Sequence, residues 1–196
     1  QMCIRDSLDA ARLDRPGADQ DQPVALDELL YRCRRDICGR YRVPESTIEL
    51  NLRPCTVTGR APDLELVFGN LLDNAIKYAG DPPHVMVTID AAVNGQIRVT
   101  IRDNGRGIPK KFRNKVFGRF VRLGAELERE QQGLGLGLYI VRTLVARLRG
   151  RVRIRGRDDE AGAIFEVQLP GEFTPQTSQP TAGMAAADYA PPGSIT

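Results

Sequence analysis

The residues best suited to carry chemistry in this chain are two asparagines and a lysine within Asn70–Tyr78. On a helix, Asn70, Asn74 and Lys77 share one face, while the apolar residues between them point to a core. Two carboxamide oxygens four residues apart can reach one Mg²⁺ ion, which takes oxygen ligands and keeps several waters. Lys77 adds a positive charge suited to a phosphate group. The alternative is the polar outer face of an ordinary helix, although asparagine is a poor helix former.

A second candidate is Asp103, which begins the stretch Asp103-Asn104-Gly105-Arg106-Gly107 after a predicted strand. A carboxylate at a strand end can accept a hydrogen bond from an exocyclic amine such as that of adenine, and this charge-assisted bond would specify the base. Gly105 and Gly107 would let the backbone pass close to the ring. The alternative is a simple turn, because Asp-Asn-Gly is a common turn sequence.

A third candidate is the glycine series Gly133, Gly135 and Gly137, which precedes a predicted helix. Glycines at this place let backbone amides and the helix N-terminus face phosphate oxygens. The series is not a Walker loop, since the chain has no Gly-x-x-x-x-Gly-Lys-Ser/Thr sequence. It is not a good dinucleotide-binding fingerprint either, because no strand leads directly into it. The alternative is a flexible hinge.

The elements that must position these candidates follow from the apolar pattern and the turn residues. Helical spacing predicts helices over Asp27–Tyr41, Ala61–Ala79 and Leu136–Leu148, the last ended by Gly150. Alternation predicts a strand at Ile48–Leu52, another at Thr56–Thr58, a hairpin of Val85–Asp90 with Gln96–Arg102 around Asn94-Gly95, and a hairpin of Arg151–Gly156 with Ala163–Leu169 around Asp158-Asp159-Glu160. We therefore expect an α/β (α+β) fold, a two-layer sandwich in which helices cover one face of a mixed sheet.

Together, the three candidates resemble the N, G1 and G2 boxes of the catalytic ATP-binding domain of sensor histidine kinases, which has the Bergerat (GHKL) ATP-binding fold. The resemblance covers roughly residues 24–170. It includes Lys115–Phe120, which looks like the F box of that family, and Gly162–Phe165, which looks like its closing Gly-Thr-x-Phe strand. Ala163 stands where the family usually has threonine, so one hydroxyl near the nucleotide is missing.

The resemblance implies ATP and Mg²⁺ as ligands and assigns a role to each matching residue. Asn70 and Asn74 would hold Mg²⁺ and phosphate, Asp103 would bind adenine, and Arg119 or Arg122 would supply a cation to the γ-phosphate. The glycines would hinge a lid, residues 121–135, over the phosphates. Catalytic roles fall to Asn70, Lys77, Arg119 and Arg122, and the other implied nucleotide contacts are Asn74, Tyr78, Asp103, Gly105, Gly107, Ile108, Phe117, Gly133, Leu134, Gly135, Leu136, Gly137 and Leu138.

The resemblance also implies partners and flanking segments. Residues 1–23 look like a remnant of a dimerisation helix with its linker, and residues 171–196 read as a disordered tail. His84, the only histidine, follows two prolines at a strand start and is interpreted as structural or solvated. The phosphoacceptor histidine would lie upstream, so we expect a fragment that binds Mg-ATP without autophosphorylating alone. The implied partners are the dimerisation domain of its own homodimeric parent and a response regulator.

Composition narrows the class of protein further. The net charge of +3, with basic residues spread along the chain, gives no reason to expect a nucleic-acid partner. The four cysteines form no Cys-x-x-Cys pair and are expected to be reduced thiols. No apolar run reaches the roughly 18 residues that span a bilayer. The resemblance implies a cytoplasmic domain, with an upstream anchor in the bacterial inner membrane left open for the parent.

Three other functions compete with a histidine kinase. Related ATPases of the MutL, gyrase and heat-shock chaperone types carry a glutamate base four residues before the metal-binding asparagine, where this chain has Asn70. An amide cannot act as that base. Anti-sigma-factor serine kinases usually have the same glutamate and are shorter, lacking the Lys115–Phe120 segment. An ATP-binding pseudokinase would retain all the boxes, as this chain does.

Overall fold

The computed structural model describes residues 21–92, 95–122, 134–156 and 162–174. Within these residues the helices are α1 Leu26–Tyr41, α2 Ala61–Lys77 and α3 Gly137–Arg147. The strands are β1 Gln22–Ala25, β2 Ile48–Asn51, β3 Cys55–Gly59, β4 Val85–Ala91, β5 Ile97–Asp103, β6 Arg151–Arg155, β7 Ile164–Leu169 and β8 Gly171–Phe173. Short 3₁₀ turns lie at Glu45–Thr47, Lys110–Phe112 and Lys115–Phe117.

Five strands form the main sheet in the order β2-β4-β5-β7-β6, with β2 and β4 parallel and the other pairs antiparallel. Alternate residues of the central strands, such as Val99 and Val167, are fully buried. They form one core with the apolar faces of the helices, represented by Leu71 and Val141. This confirms the expected two-layer fold with helices over one face of a mixed sheet. The same alternation places Asp103, the last residue of β5, on the helix side of the sheet.

A second, three-stranded sheet in the order β1-β3-β8 lies outside the predicted fold. Both outer strands pair antiparallel with β3, and Thr174 N donates to Pro54 O at 3.0 Å beyond the last pair. The ordered unit therefore begins before residue 24, and residues 171–173 do not belong to a disordered tail. Strands this short carry too little alternation to be recognised alone, and pairing with a strand distant in sequence stabilises them. The remaining predictions for residues 1–20 and 175–196 lie outside the described residues.

The predicted hairpin of β4 and β5 is confirmed, but its turn is longer than the Asn-Gly sequence predicts. Ala91 pairs with Ile97, so residues 92–96 form the connection, and Ala92 N donates to Gln96 O at 2.7 Å. Gly95 has a φ of 72°, whereas Asn94 is outside the described residues. The hairpin of β6 and β7 is also confirmed. Its acidic turn, Asp158-Asp159-Glu160, is outside the described residues as well.

A glycine that ends a helix often takes the left-handed conformation, but after α3 a different residue does so. That residue is Arg149, with a φ of 56°, and Gly150 N then donates to Val145 O at 2.9 Å. A Cβ on Gly150 would lie only 2.7 Å from Leu169 Cδ2 of β7. Gly150 is therefore explained by close packing of the chain against β7.

Candidate functional site

A cleft opens among the described residues between α2, the turn after β5, the start of α3 and β7. Its lining combines amide, carboxylate, cationic and apolar side chains, so it can contact a ligand that has both a polar end and an apolar ring. The lining residues are Asn70, Asp73, Asn74, Lys77, Tyr78, Asp103, Arg106, Gly107, Ile108, Val116, Val121, Arg122, Gly135, Gly137, Leu138, Ala163 and Phe165.

The polar face of α2 presents its asparagine oxygens to this cleft. Asn70 Nδ2 donates to the carbonyl of Leu66 one turn earlier at 2.8 Å, which orients the carboxamide. Its Oδ1 is directed to the start of α3, where a Cβ added to Gly137 would lie 2.7 Å away. Among the described residues, none forms a hydrogen bond with the Asn74 carboxamide. Lys77 Nζ lies 5.4 Å from the centroid of the Tyr78 ring.

Asp73 also lines the cleft, beside the asparagines, although no role was predicted for it. Its Oδ1 lies 2.7 Å from Arg40 Nη1 of α1. Arg40 thus offsets a carboxylate charge that would otherwise oppose an anion at this end of the cleft. Asp73 lies three residues after Asn70 and four before Lys77, so the helical spacing places it on the same face. The spacing gave no role for Asp73, because its partner Arg40 comes from another helix.

Asp103 lies at the opposite end of the cleft and is only 5% exposed. Its Oδ1 accepts hydrogen bonds from Gly105 N at 2.9 Å and Ala163 N at 3.0 Å. No described group bonds Oδ2, which is therefore the oxygen available to a ligand. Burial raises the pKa of the Asp103 carboxyl above its ordinary value, and the two backbone donors act in the opposite direction.

Gly105 brings the turn after β5 into contact with the end of α2. A Cβ at this position would overlap the carbonyl oxygen of Tyr78 and would lie 3.1 Å from Asp103 Oδ1. No side chain larger than hydrogen fits there without moving Tyr78. The predicted sites at Asn70–Tyr78, Asp103–Gly107 and Gly135–Gly137 therefore meet in one place.

Comparison with known proteins assigns this architecture. The family described as "Histidine kinase-, DNA gyrase B-, and HSP90-like ATPase" matches residues 59–172, which is more than half of the chain. The chain belongs to this ATPase family. The matched range includes the whole cleft and the first two residues of β8, the strand that the sequence prediction had excluded.

Similar proteins within the family are sensor kinases. The swarming motility regulation sensor protein RssA of Serratia marcescens is 31% identical over 164 residues, 81% of this chain and 34% of that protein. The histidine-protein kinase/phosphatase MprB of Mycolicibacterium paratuberculosis is 31% identical over 191 residues, 95% of this chain and 36% of that protein. The chain thus spans about a third of the length of these curated relatives.

Solved structures agree with the sequence relatives. The mycobacterial sensor histidine kinase MprB has a TM-score of 0.68 at 30% identity, covering 79% of this chain and 99% of that one. Full-length ShkA in complex with AMPPNP has a TM-score of 0.68 at 27% identity, covering 87% of this chain and 35% of that one. The resemblance to the catalytic domain of a sensor histidine kinase is confirmed.

In this ATPase domain the two predicted arginines occupy different places. Arg122 lines the cleft. Arg119 instead stacks on the Tyr139 ring, 4.5 Å from its centroid, and its Nη2 donates to the Tyr139 hydroxyl at 2.5 Å. Of the two, Arg122 is the one placed to meet an anion in the cleft.

The structure brings eleven of the predicted residues to the cleft: Asn70, Asn74, Lys77, Tyr78, Asp103, Gly107, Ile108, Arg122, Gly135, Gly137 and Leu138. The described residues that were predicted but do not line it are Gly105, Phe117, Arg119, Leu134 and Leu136. Phe117 and Leu136 are 4% and 8% exposed and belong to the core. Leu134 packs against that core. Gly133 and most of the predicted lid, residues 123–133, lie outside the described residues.

Six lining residues were not predicted as site residues: Asp73, Arg106, Val116, Val121, Ala163 and Phe165. Ala163 acts through its backbone N–H to Asp103, so the side chain that replaces the usual threonine does not affect this bond. Val116 and Phe165 lie in segments that the resemblance had matched to the F box and the closing strand. The sequence marked those segments but not which of their side chains would face the cleft.

Two further observations concern features outside the cleft. His84 Nε2 lies 3.1 Å from Glu49 Oε1, with the imidazole about half exposed, so this histidine pairs across the edge of the sheet.

Among the described residues, no helix is both long and apolar enough to cross a lipid bilayer.

Proposed function

We propose that this domain binds ATP with Mg²⁺ and donates the γ-phosphoryl group to a histidine of a dimerisation domain in two-component signalling. One observation carries the proposal. Asp103 is a buried carboxylate whose Oδ1 is bonded by the backbone and whose Oδ2 is available, and it shares a cleft with Asn70, Asn74 and Lys77. An amine-bearing base at one end and phosphates at the other match this arrangement. The AMPPNP complex of ShkA supports the same ligand class.

The asparagine side-chain oxygens on α2 are suitable ligands for a magnesium ion. Asn70 offers an oriented Oδ1, and Asn74 offers a carboxamide that no described residue engages. These are neutral oxygen ligands, which suit a hard cation that also binds phosphate and water. When bound, such an ion would neutralise charge on the transferred phosphoryl group. Lys77 and Arg122 line the same cleft and would offset the remaining negative charge.

Two features favour phosphoryl transfer to an external acceptor over hydrolysis: the residue at the position of a catalytic base, and the place of the histidine. Asn70, four residues before Asn74, cannot deprotonate water, and its Nδ2 is already bonded to the Leu66 carbonyl. His84 pairs with Glu49 and does not line the cleft. We therefore assign the acceptor histidine to a dimerisation domain, with a response regulator as the next recipient. We also propose a cytoplasmic location for the domain, since ATP is available there.

Calorimetric titration with AMPPNP tests the proposal. The wild-type domain should bind in Mg²⁺ and bind at least about tenfold more weakly in EDTA, since Asn70 and Asn74 would hold a metal that neutralises phosphate charge. Asn74→Ala should remove most of this magnesium dependence. Asn51→Ala, an exposed asparagine on β2, is the matched control and should bind like wild type.

Equal affinity with and without Mg²⁺, or no binding by a domain shown to be folded, would contradict the proposal. If binding is found, the phosphotransfer step is tested separately. A dimerisation domain carrying the acceptor histidine is added in trans with radiolabelled ATP. Acid-labile label on that histidine is expected with the wild-type domain and not with Asn74→Ala.

A further inference from the structure

A single asparagine side chain joins the loop after α2 to the turn after β5. Asn104 Oδ1 accepts hydrogen bonds from Gly80 N and His84 N, both at 3.0 Å. Its Nδ2 donates to Pro82 O at 2.8 Å. The Asn104 backbone N also donates to His84 O at 3.2 Å. Three side-chain bonds and one backbone bond thus hold the loop Ala79–His84 to the residue that directly follows Asp103.

This loop has few other backbone bonds among the described residues. Ala79 N donates to Ile76 O at a long 3.4 Å, and neither Pro82 nor Pro83 has an N–H to donate. Gly80 lies so close to Asn104 that a Cβ there would sit 2.8 Å from its carbonyl oxygen. The position of the loop therefore depends chiefly on Asn104.

The loop matters to the cleft because it continues from Tyr78. Tyr78 lines the cleft, and its carbonyl contacts Gly105, whose own N–H is bonded to Asp103 Oδ1. Asn104 itself does not line the cleft. Any effect of Asn104 on a ligand must act through Tyr78 and Asp103, at the end of the cleft assigned to the base.

We propose that Asn104 is a positioning residue for the adenine end of the site, an inference that rests on the proposed ATP-binding function. It holds the Ala79–His84 loop so that Tyr78 and the available Oδ2 of Asp103 keep a fixed spacing before the nucleotide arrives. Asparagine suits this position because one carboxamide accepts two bonds and donates another. Aspartate keeps both acceptor bonds, loses the donor and adds a negative charge beside Asp103.

Nucleotide selectivity distinguishes positioning from general stability. Asp103 can accept a bond from the amine of adenine but would face the carbonyl oxygen of guanine, so the intact site should prefer ATP over GTP. Asn104 is exposed, and water competes for its bonds, which limits the expected effect. Asn104→Ala should weaken AMPPNP binding about three- to tenfold and change the affinity for the guanine analogue less than about twofold. The ratio of the two dissociation constants should therefore fall.

The variants are Asn104→Ala, Asn104→Asp and the control Asn51→Ala, each measured with both analogues in Mg²⁺ and each checked by thermal melting. Asn104→Asp should lie between wild type and Asn104→Ala, and Asn51→Ala should match wild type in both dissociation constants. Wild-type ratios in both Asn104 variants, or equal losses for the two nucleotides, would overturn the positioning role. Failure of the wild-type domain to bind AMPPNP would instead contradict the proposed function.

Amide hydrogen exchange on the nucleotide-free wild-type domain provides a second test that needs no variant. The amides of Gly80 and His84 should be protected, because Asn104 Oδ1 already accepts from them. Exchange at the rates of an unstructured loop would show that the site is not held in place in advance, and would overturn the inference even if a variant failed to fold.

Discussion

At Asp103 the local backbone determines which carboxylate oxygen a ligand can reach. Gly105 N and Ala163 N both donate to Oδ1, the first from the turn directly after Asp103 and the second from the residue that precedes β7. These bonds stabilise the ionised form, whereas burial disfavours it more strongly and raises the pKa of the carboxyl. The group is therefore held in one orientation at the cost of being easier to protonate than an exposed aspartate.

Asp103→Asn should weaken AMPPNP binding about 10- to 100-fold, the effect of losing a charge-assisted hydrogen bond. The bond to adenine needs the ionised carboxylate, so wild-type affinity should fall as pH decreases through the raised pKa of Asp103. That fall should begin at a higher pH than an ordinary aspartate would show. Titrations across the mildly acidic range measure both effects.

The phosphate groups of the nucleotide also titrate, so the pH profile of Asp103→Asn is the reference that isolates the contribution of Asp103. Asp103→Asn should lose the additional fall that Asp103 causes and keep the part that the phosphates cause. Asp90→Asn, on the exposed end of β4, should behave like wild type at every pH. Superimposable pH profiles for wild type and Asp103→Asn would rule out the assigned role.

Residue identities were predictable where function follows from local spacing. Asn70, Asn74 and Lys77 lie on one helical face, and Asp103 ends an alternating strand, so the chemistry and the geometry are both local. Arg119 and Arg122 could not be distinguished in this way. They lie three residues apart in an irregular segment, and it is the contact with Tyr139, on a different element, that takes Arg119 out of the cleft.

Among the elements, β7 places functional side chains on one face of the sheet and a buried ion-pair cluster on the other. Phe165 lines the cleft on the helix side, whereas Glu166 points to the opposite face and is 4% exposed. Glu166 accepts hydrogen bonds from Arg153 Nε at 2.8 Å and Gln168 Nε2 at 2.8 Å, and it lies 2.7 Å from Arg155 Nε. Arg98 Nε lies 3.9 Å away. One buried carboxylate on β7 thus holds together three guanidinium groups from its two neighbouring strands, β5 and β6.

Glu166→Gln should destabilise the domain by about 1–3 kcal/mol, because three arginines would face each other without a balancing charge. The estimate stays at the low end for buried charges, since the Arg153 and Arg155 side chains are 40% and 50% exposed to screening water. Urea unfolding measures the loss, and added salt should recover part of it.

Glu172→Gln, an exposed glutamate on β8, is the matched control and should change stability by less than about 0.5 kcal/mol. AMPPNP affinity should stay at the wild-type value in both variants, since Glu166 faces away from the cleft. A Glu166→Gln domain as stable as wild type would show that the arginines do not need this carboxylate.

The helices and the main sheet were predictable because each has a strong internal period. The predicted helix at Asp27–Tyr41 begins one residue later than the observed Leu26–Tyr41, and the two hairpins have the expected partners. The sheet β1-β3-β8 was not predicted as a sheet. Its outer strands have four and three residues, and their stability comes from pairing with β3, which is distant from both along the chain.

For the whole molecule, one continuous core joins both sheets and all the described helices. Three cysteine thiols are buried in this core: Cys33, Cys38 and Cys55 are 6%, 2% and 1% exposed. Burial, with nearby carboxylates as a smaller cause, raises the pKa of Cys33 and of Cys55 to about 12. Since the thiolate is the reactive form, these cysteines should not react until the core opens.

A thiol-labelling experiment tests whether a ligand bound in the cleft keeps the core closed. It uses a Cys3→Ser variant, because Cys3 lies outside the described residues. Native protein should be labelled only through molecules that have unfolded. If labelling follows the unfolding equilibrium, Mg-AMPPNP at a hundred times its dissociation constant should slow it about 100-fold. Rates are measured by mass spectrometry of quenched samples.

Two controls make the result specific. In urea-unfolded protein the nucleotide should not affect labelling, and in Asp103→Asn the same nucleotide concentration should protect less. Immediate labelling of Cys33 or Cys55 in native protein would contradict the buried core. Labelling that nucleotide does not slow, in a domain that binds it, would show that these cysteines become exposed without loss of the site.

By itself, the sequence determined what depends on neighbours along the chain. Helical spacing selected the polar face of α2, alternation defined β4 and β5, and the order of the motifs identified an ATPase domain of the histidine kinase type. Only the tertiary structure decided which atoms are available. It showed Oδ2 of Asp103 as the available oxygen, Arg122 as the cleft arginine, and Asn104 as the link to the Ala79–His84 loop. Each of these depends on hydrogen bonds or packing between segments far apart in the chain, which no local pattern records.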